Sequence, residues 1–416
     1  MKRILRAGLR RALATALLLG VAVGWIGNVE AAAAKKEERA PTEIDPVTGK
    51  KLNDAIELVN QEKYAEAKAT LGKLNMEKLS PYEKSRVYQM LASIASSEQQ
   101  YEESRKNLEL AIQSGGMSDD EILNAQYSIA QLYMVQERWN EGITALKKWF
   151  ETAPNPNAGA YYLLAIAYYR TDNRKAAIEP AQKAVDMSEK PQPNWIELLL
   201  ALRLEAEQYD KALPLLKYLV TASPEKRTYW MQLSAVYRQM ERYDESLAVI
   251  QCAQLAGFIT EPSDIKSQAD LNAFVGIPYR GAKLLQTAID KNTLEPDEKL
   301  WERLSNMWIA ARDYGKALAP LKKAAAMHEN GDLYVRLAEL HVRNENWADA
   351  SEALRSAFAK GNLKDPANSE LLMGIALYSQ KKTQEARTWF VKARDSAKLK
   401  AQADSWIRHI DETASS

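Results

Sequence analysis

Apolar residues recur at helical spacing from Leu52 to about Ile410, three or four positions apart, with polar residues between them. The rhythm breaks at near-regular intervals. Each break is a turn that leads into one recurring position, held by Tyr64, Tyr101, Trp139, Arg174, Tyr209, Tyr243, Pro278, Tyr314, Trp347 and Thr383, spaced 33 to 38 residues apart. Three residues after each comes a small side chain: Ala67, Ser104, Gly142, Ala177, Ala212, Ser246, Gly281, Ala317, Ala350 and Ala386. A large apolar residue usually follows four positions on, as at Leu146, Leu216, Ile250, Leu321, Leu354 and Phe390. Three further on comes another small or apolar one, as at Ala111, Ala184, Ala253, Ala357 and Ala393. Offsets of 0, 4 and 7 lie on one helical face. The unit is thus a pair of helices whose close crossing needs small side chains. One such hairpin cannot bury its apolar face alone, whereas stacked copies can.

The clearest copies run from Trp230 to Ala253 and from Trp301 to Ala324. They place Trp230, Leu233, Ser234 and Tyr237, and then Trp301, Leu304, Ser305 and Trp308, on the pattern W-x2-L-G-x2-Y that opens the tetratricopeptide repeat. Looser copies are Tyr161-Leu164-Ala165-Tyr168, Tyr334-Leu337-Ala338-His341 and Met373-Gly374-Leu377, and Pro154 and Pro224 stand where a repeat closes. The chain therefore resembles the tetratricopeptide repeat family over residues 52–396. That resemblance implies an all-α fold: an α-solenoid of about ten hairpins forming a right-handed superhelix, with the first helices lining a concave, peptide-binding surface. Residues 397–416 are expected to add a capping helix and tail, since Trp406, Ile407 and Ile410 share one side of it.

Departures from the pattern mark expectations of their own. Pro180, Pro214 and Pro320 fall inside second helices, where each removes a backbone donor. The seventh copy is degenerate. Its first helix, from about Asp264 to Val275, lacks the Trp and Tyr positions, and GIPYRGA turns abruptly. It is either a joint between copies 1–6 and 8–10 or a divergent copy.

The N-terminus changes the picture of where the chain works. Lys2, Arg3, Arg6, Arg10 and Arg11 precede an apolar run from Ala12 to Gly27, and Val29-Glu30-Ala31 supplies small residues for cleavage. Residues 1–31 read as a signal peptide for export to the periplasm, with an uncleaved inner-membrane anchor as the alternative. Residues 32–51 are polar and read as a flexible linker. The whole chain has a net charge of +1; residues 1–31 carry five cations and one carboxylate, which leaves −3 for the rest. Nucleic acid is therefore not an expected partner.

Candidate chemistry is sparse. His328, His341 and His409 have no metal-ligand spacing, and no phosphate loop or nucleophile elbow is present, so no cofactor, metal or catalytic role is expected. His341 occupies an inward aromatic position. Cys252, the single cysteine, reads as a small buried helical residue. What remains is surface. Positions beside the packing positions of the third and fourth first helices hold Tyr127, Gln131, Met134, Tyr162, Ile166, Tyr169 and Arg170, an amphipathic strip suited to a partner. Lys299, Arg303 and Asn306 resemble part of the clamp with which some family members hold a C-terminal carboxylate, but Met231 and Ala235 leave it incomplete.

These readings lead to an expected function: a non-enzymatic scaffold that binds proteins or peptides in the bacterial envelope, with membrane contact only if the N-terminal segment stays uncleaved. In overall layout the chain also resembles periplasmic tetratricopeptide proteins that accompany TonB–ExbB–ExbD energy transduction. An accessory that binds or processes envelope polymers such as peptidoglycan or polysaccharide is a further alternative.

Overall fold

The computed structural model describes residues 43–414. Among these residues there are twenty-one α-helices, one 3-10 turn at Met76–Lys78 and no strand. The segment expected to be a signal peptide and the expected linker up to residue 42 lie outside the described residues. The chain divides into two compact units between Ser223 and Pro224. The first unit contains α1 Pro46–Asn60, α2 Tyr64–Leu71, α3 Pro81–Ser97, α4 Tyr101–Gln113, α5 Asp119–Val135, α6 Trp139–Thr152, α7 Ala158–Arg170, α8 Arg174–Asp186, α9 Pro193–Glu205 and α10 Tyr209–Ala222. The second contains α11 Arg227–Gln239, α12 Tyr243–Leu255, α13 Pro262–Phe274, α14 Pro278–Asp290, α15 Glu298–Ala310, α16 Tyr314–Met327, α17 Asp332–Arg343, α18 Trp347–Lys360, α19 Pro366–Ser379, α20 Thr383–Ala393 and α21 Lys400–Ala414. Odd numbers are the first helices of ten hairpins and even numbers the second, with α21 standing alone at the end.

The helices cross where the sequence places small residues. At four crossings the small residue of the second helix, Ser104, Ser246, Gly281 or Ala317, meets the residue twelve positions earlier in the first. Ser104 Oγ donates to the Ala92 carbonyl at 2.8 Å, and Ser305 Oγ to the Ala317 carbonyl at 2.9 Å. Ser234 and Ser246 bond each other through their hydroxyls at 2.8 Å. A Cβ on Gly281 would lie 2.6 Å from the Ala269 carbonyl oxygen, so that crossing admits no side chain. Leu146, Leu216, Leu321, Leu354 and Phe390 are fully buried on the same faces. Filling these faces supplies the main driving force. In the second unit one continuous apolar core runs from Ile265 to Ile410.

The hairpin turns share one backbone solution. A residue with positive φ stands two places before each recurring turn position: Glu62, Gln99, Glu137, Asp172, Glu207, Glu241, Gly276, Arg312, Glu345 and Lys381. The next residue's N–H then reaches back five positions, as in Gln100 to the Ala95 carbonyl at 2.7 Å and Arg242 to the Tyr237 carbonyl at 2.8 Å. This left-handed closure satisfies the last carbonyls of each first helix.

Two expectations need correction, the start of the first helix and the burial of Cys252. Helix α1 starts at Pro46, within the stretch 32–51 read as linker, because Asp45 caps it and the buried Glu83 carboxylate accepts the Asp45 N–H at 2.9 Å. The seventh copy, expected as either a joint or a divergent copy, forms both helices of a hairpin. That hairpin is complete, with Pro278 in the first turn of α14, and the division between units lies before the sixth. Cys252 is exposed: it sits on the side of α12 opposite the buried Ser246, Leu247 and Ala253.

Pro180, Pro214 and Pro320 lie inside α8, α10 and α16 as expected, and each helix continues past its proline. At the end of the second unit, Trp406 of α21 stacks on Phe390 with centroids 5.3 Å apart, and Ile410 is buried.

Candidate functional site

The candidate strip of the first unit is carried by α5, α7 and α9, three successive first helices. Ser118 and Glu121 form a capping box at the start of α5, and Asn157 caps α7, which fixes where each helix begins. Tyr127 on α5 and Tyr162 on α7 occupy equivalent places, and both lean toward the next first helix. The Tyr127 hydroxyl lies 4.0 Å from where a Cβ of Gly159 would be, so the absent side chain leaves room for the phenol. One repeat later the equivalent of Gly159 is Asn194, whose Nδ2 donates to the Tyr162 hydroxyl at 3.2 Å.

Aromatic neighbours hold both rings. Tyr127 packs on Trp149 at 4.9 Å between centroids, and the Trp149 indole N–H donates to the Leu123 carbonyl at 3.0 Å. Tyr162 packs on Trp195 at 5.5 Å. Burial pushes the Tyr127 hydroxyl up, with a hydrogen bond from Gln131 acting against it. For Tyr162, burial outweighs the Asn194 hydrogen bond and the Glu197 charge adds to it, so its pKa is pushed up to about 12. Both phenols stay neutral at any physiological pH and keep an O–H to offer.

The predicted site residues do not all share this surface. Gln131 and Arg170 are exposed, and the Arg170 guanidinium lies 5.5 Å from the Trp139 ring centroid. Tyr169 is half-buried beneath the Arg174 guanidinium at 3.9 Å. Met134 and Ile166 do not face solvent. Met134 is 2% exposed, and its Cε fills the space that Gly142 leaves at the helix crossing. Ile166 is 5% exposed and packs among Ala177, Leu198 and Leu202. Helical spacing alone could not separate these two from their neighbours, because Met134 packs into the crossing of its own hairpin and Ile166 packs against both its own second helix and the next first helix. Sequence reasoning also passed over Gly159, Asn194 and Trp195. Their signal was position: Gly159 and Asn194 stand 35 residues apart at the same place in successive copies.

In the second unit the first helices are joined by charged pairs instead. Arg303 on α15 meets Asp270 on α13 at 3.4 Å. Arg336 on α17 donates to Glu302 and Asn306 on α15, each at 2.7 Å. Two residues of the partial carboxylate clamp, Arg303 and Asn306, are thereby already engaged. Burial pushes the Asp270 carboxyl up even though Arg303 pulls it down. Among the described residues no group of three or more His, Cys, Asp or Glu is placed to hold a metal ion, and no helix is long and apolar enough to cross a membrane.

Comparison with known proteins follows the same lines. A tetratricopeptide repeat family model matches residues 127–192 and 335–400, and a second matches residues 85–114. No curated protein matches the chain. Among solved structures, the chain is similar to YrrB, a TPR protein with an unusual peptide-binding site, at 18% identity over 40% of this chain and 83% of that one, with a TM-score of 0.35. It is similar to MamA at 18% identity over 41% and 90%, with a TM-score of 0.35. A tetratricopeptide repeat protein from Parabacteroides merdae matches at 12% identity over 62% and 99%, with a TM-score of 0.35. The repeated sequence pattern, the ten paired hairpins and the family models agree, and the chain belongs to the tetratricopeptide repeat family.

Proposed function

We propose that this chain is a non-catalytic adaptor of the bacterial cell envelope, which holds an extended segment of a protein partner against the first helices of its first unit. Tetratricopeptide repeats are generally binding scaffolds without catalysis, which supports the general role. The observation that carries the site is the pair Tyr127 and Tyr162. Both are half-buried, ring-packed and neutral, with hydroxyls at the seams between successive first helices. Such a phenol gives a partner apolar area plus one hydrogen bond, at little cost in side-chain freedom. Gln131 and Arg170 add polar contacts beside them. The envelope assignment rests on the basic and apolar N-terminal sequence up to Ala31.

The test is crosslinking in cells from a photoreactive residue at Gln131 or Arg170, with mass spectrometry of the adducts. An envelope protein captured from both positions, and lost in Tyr127→Ala/Tyr162→Ala, is the expected result. Capture that survives the double substitution would overturn the site. A mature N-terminus still at Met1 in a cytoplasmic fraction would overturn the location.

A further inference from the structure

The second unit presents a different chemistry on its first helices. Arg227 on α11 pairs with Asp264 on α13, so α11, α13, α15 and α17 lie side by side, each joined to the next by a charged pair. Once those pairs are made, three cations along the row remain without a partner. They are Arg238 on α11, Lys266 on α13 and Lys299 on α15, one on each of three successive helices. Arg238 is half-buried, and no carboxylate among the described residues pairs with its guanidinium. The one carboxylate that continues the ladder unpaired is Glu339 on α17, exposed because Leu372 of α19 stands where the preceding helices carry Arg303 and Arg336. The chain as a whole is close to neutral at +1, so this excess comes from placement and not from composition.

We infer that this row is a second partner surface, and that it takes an extended protein segment rich in Asp and Glu across α11, α13 and α15. The inference rests on the reading that first helices carry the partner surface, but it concerns other residues and another ligand chemistry than the tyrosine strip. Carboxylates of the segment would supply the acceptors that Arg238, Lys266 and Lys299 lack, with Glu339 repelling any acid placed beyond them. A nucleic acid fits less well. Its phosphates are continuous, and Asp270 and Glu302 interrupt the row, whereas a peptide can set neutral residues opposite them. Packed helices lie about 8–10 Å apart, so three of them are spanned by roughly ten extended residues at about 3.3 Å each.

The probe is a fluorescein-labelled decapeptide of alternating Glu and Ser with an amidated C-terminus, titrated with the full chain in anisotropy measurements. Expected are saturable binding that weakens as salt rises, a loss of about tenfold or more in affinity in Lys266→Glu/Lys299→Glu, and tighter binding in Glu339→Gln. Circular dichroism should show both variants folded, since Lys299 and Glu339 are exposed and Lys266 is only half-buried. The inference is overturned if the peptide does not bind, if the double variant binds it unchanged, if only a peptide with a free C-terminal carboxylate binds, or if single-stranded DNA binds as well as the peptide. Crosslinking from Gln131 in Lys266→Glu/Lys299→Glu separates the two surfaces: capture there persists when only the acidic-segment site is lost.

Discussion

Asn194 of α9 donates a hydrogen bond to the Tyr162 hydroxyl of α7 at 3.2 Å, across 32 residues of sequence. It joins two successive repeats at the proposed partner surface, and its packing role can be measured by itself. Removing the hydroxyl in Tyr162→Phe keeps the ring on Trp195 and loses only this bond. A cost of about 1 kcal/mol to the first unit is expected. A cycle with Asn194→Ala, read by urea unfolding, should show a coupling of roughly 0.5 to 1.5 kcal/mol. Coupling near zero would mean that the two side chains are independent.

The hairpin turns give a prediction about backbone conformation. Glu241 sits at φ +58 and Gly276 at φ +83 in equivalent turns. A residue with a Cβ is strained in this region by about 1 kcal/mol, whereas glycine is not. Glu241→Gly should therefore stabilise the second unit, by up to roughly 1 kcal/mol, and Gly276→Glu should destabilise it by a similar amount. Thermal unfolding of the two variants, shifting in opposite directions, is the check.

The seventh hairpin carries polar residues where other repeats are apolar. Gln268 and Asn272 are 3% and 1% exposed, and their side-chain oxygens have no hydrogen-bond partner. Gln268 Nε2 bonds Gln254 at 2.8 Å, but Gln254 is exposed and can turn to water. Gln268→Leu restores the leucine of the repeat pattern and removes a buried unmet acceptor. A gain of about 1 kcal/mol or more in the second unit is expected, since such an acceptor costs roughly 1–3 kcal/mol. Loss of stability in urea would show that Gln268 is held by more than its present bonds.

Cys252 is exposed on α12, so a thiol reagent should label one sulfur per native chain without denaturant. Labelling only after unfolding would place it back in the core.

The small residues at crossings, from Ala67 to Ala386, could be read because any larger side chain there collides with the facing helix. The left-handed turn residues were not, since nine of the ten are not glycine and nothing in Glu62 or Glu345 announces positive φ. Exposure was the harder property. Cys252 is exposed because a small apolar residue fits a helix surface as readily as its core, whereas Met134 and Ile166 are buried because a helix packed on two neighbours has two buried stripes and the sequence displays only their sum. The tyrosine strip was half visible for the same reason: Tyr127 and Tyr162 were named, while Gly159 and Asn194, which give them their setting, lie on the adjacent helices.

His341 makes the stability of the second unit depend on pH. It replaces the motif tyrosine on α17, and its Nδ1 is buried without a hydrogen bond, with Asp349 at 3.9 Å. Burial lowers its pKa below 6.5, and the Asp349 charge only partly opposes this. The folded state therefore favours the neutral ring. As pH falls past 6.5, the unfolded chain takes up a proton before the folded one does, and protonation draws the equilibrium toward unfolding. Stability from this site is intact above that pH, declines between it and the lowered folded value, and is constant below. His341→Tyr should remove this decline, bring back the motif residue and leave stability above pH 7 no lower than in the parent chain. Urea unfolding of both proteins at closely spaced pH values gives the difference directly, because His328 and His409 are common to both. A parallel decline in the variant would assign the pH dependence to other groups.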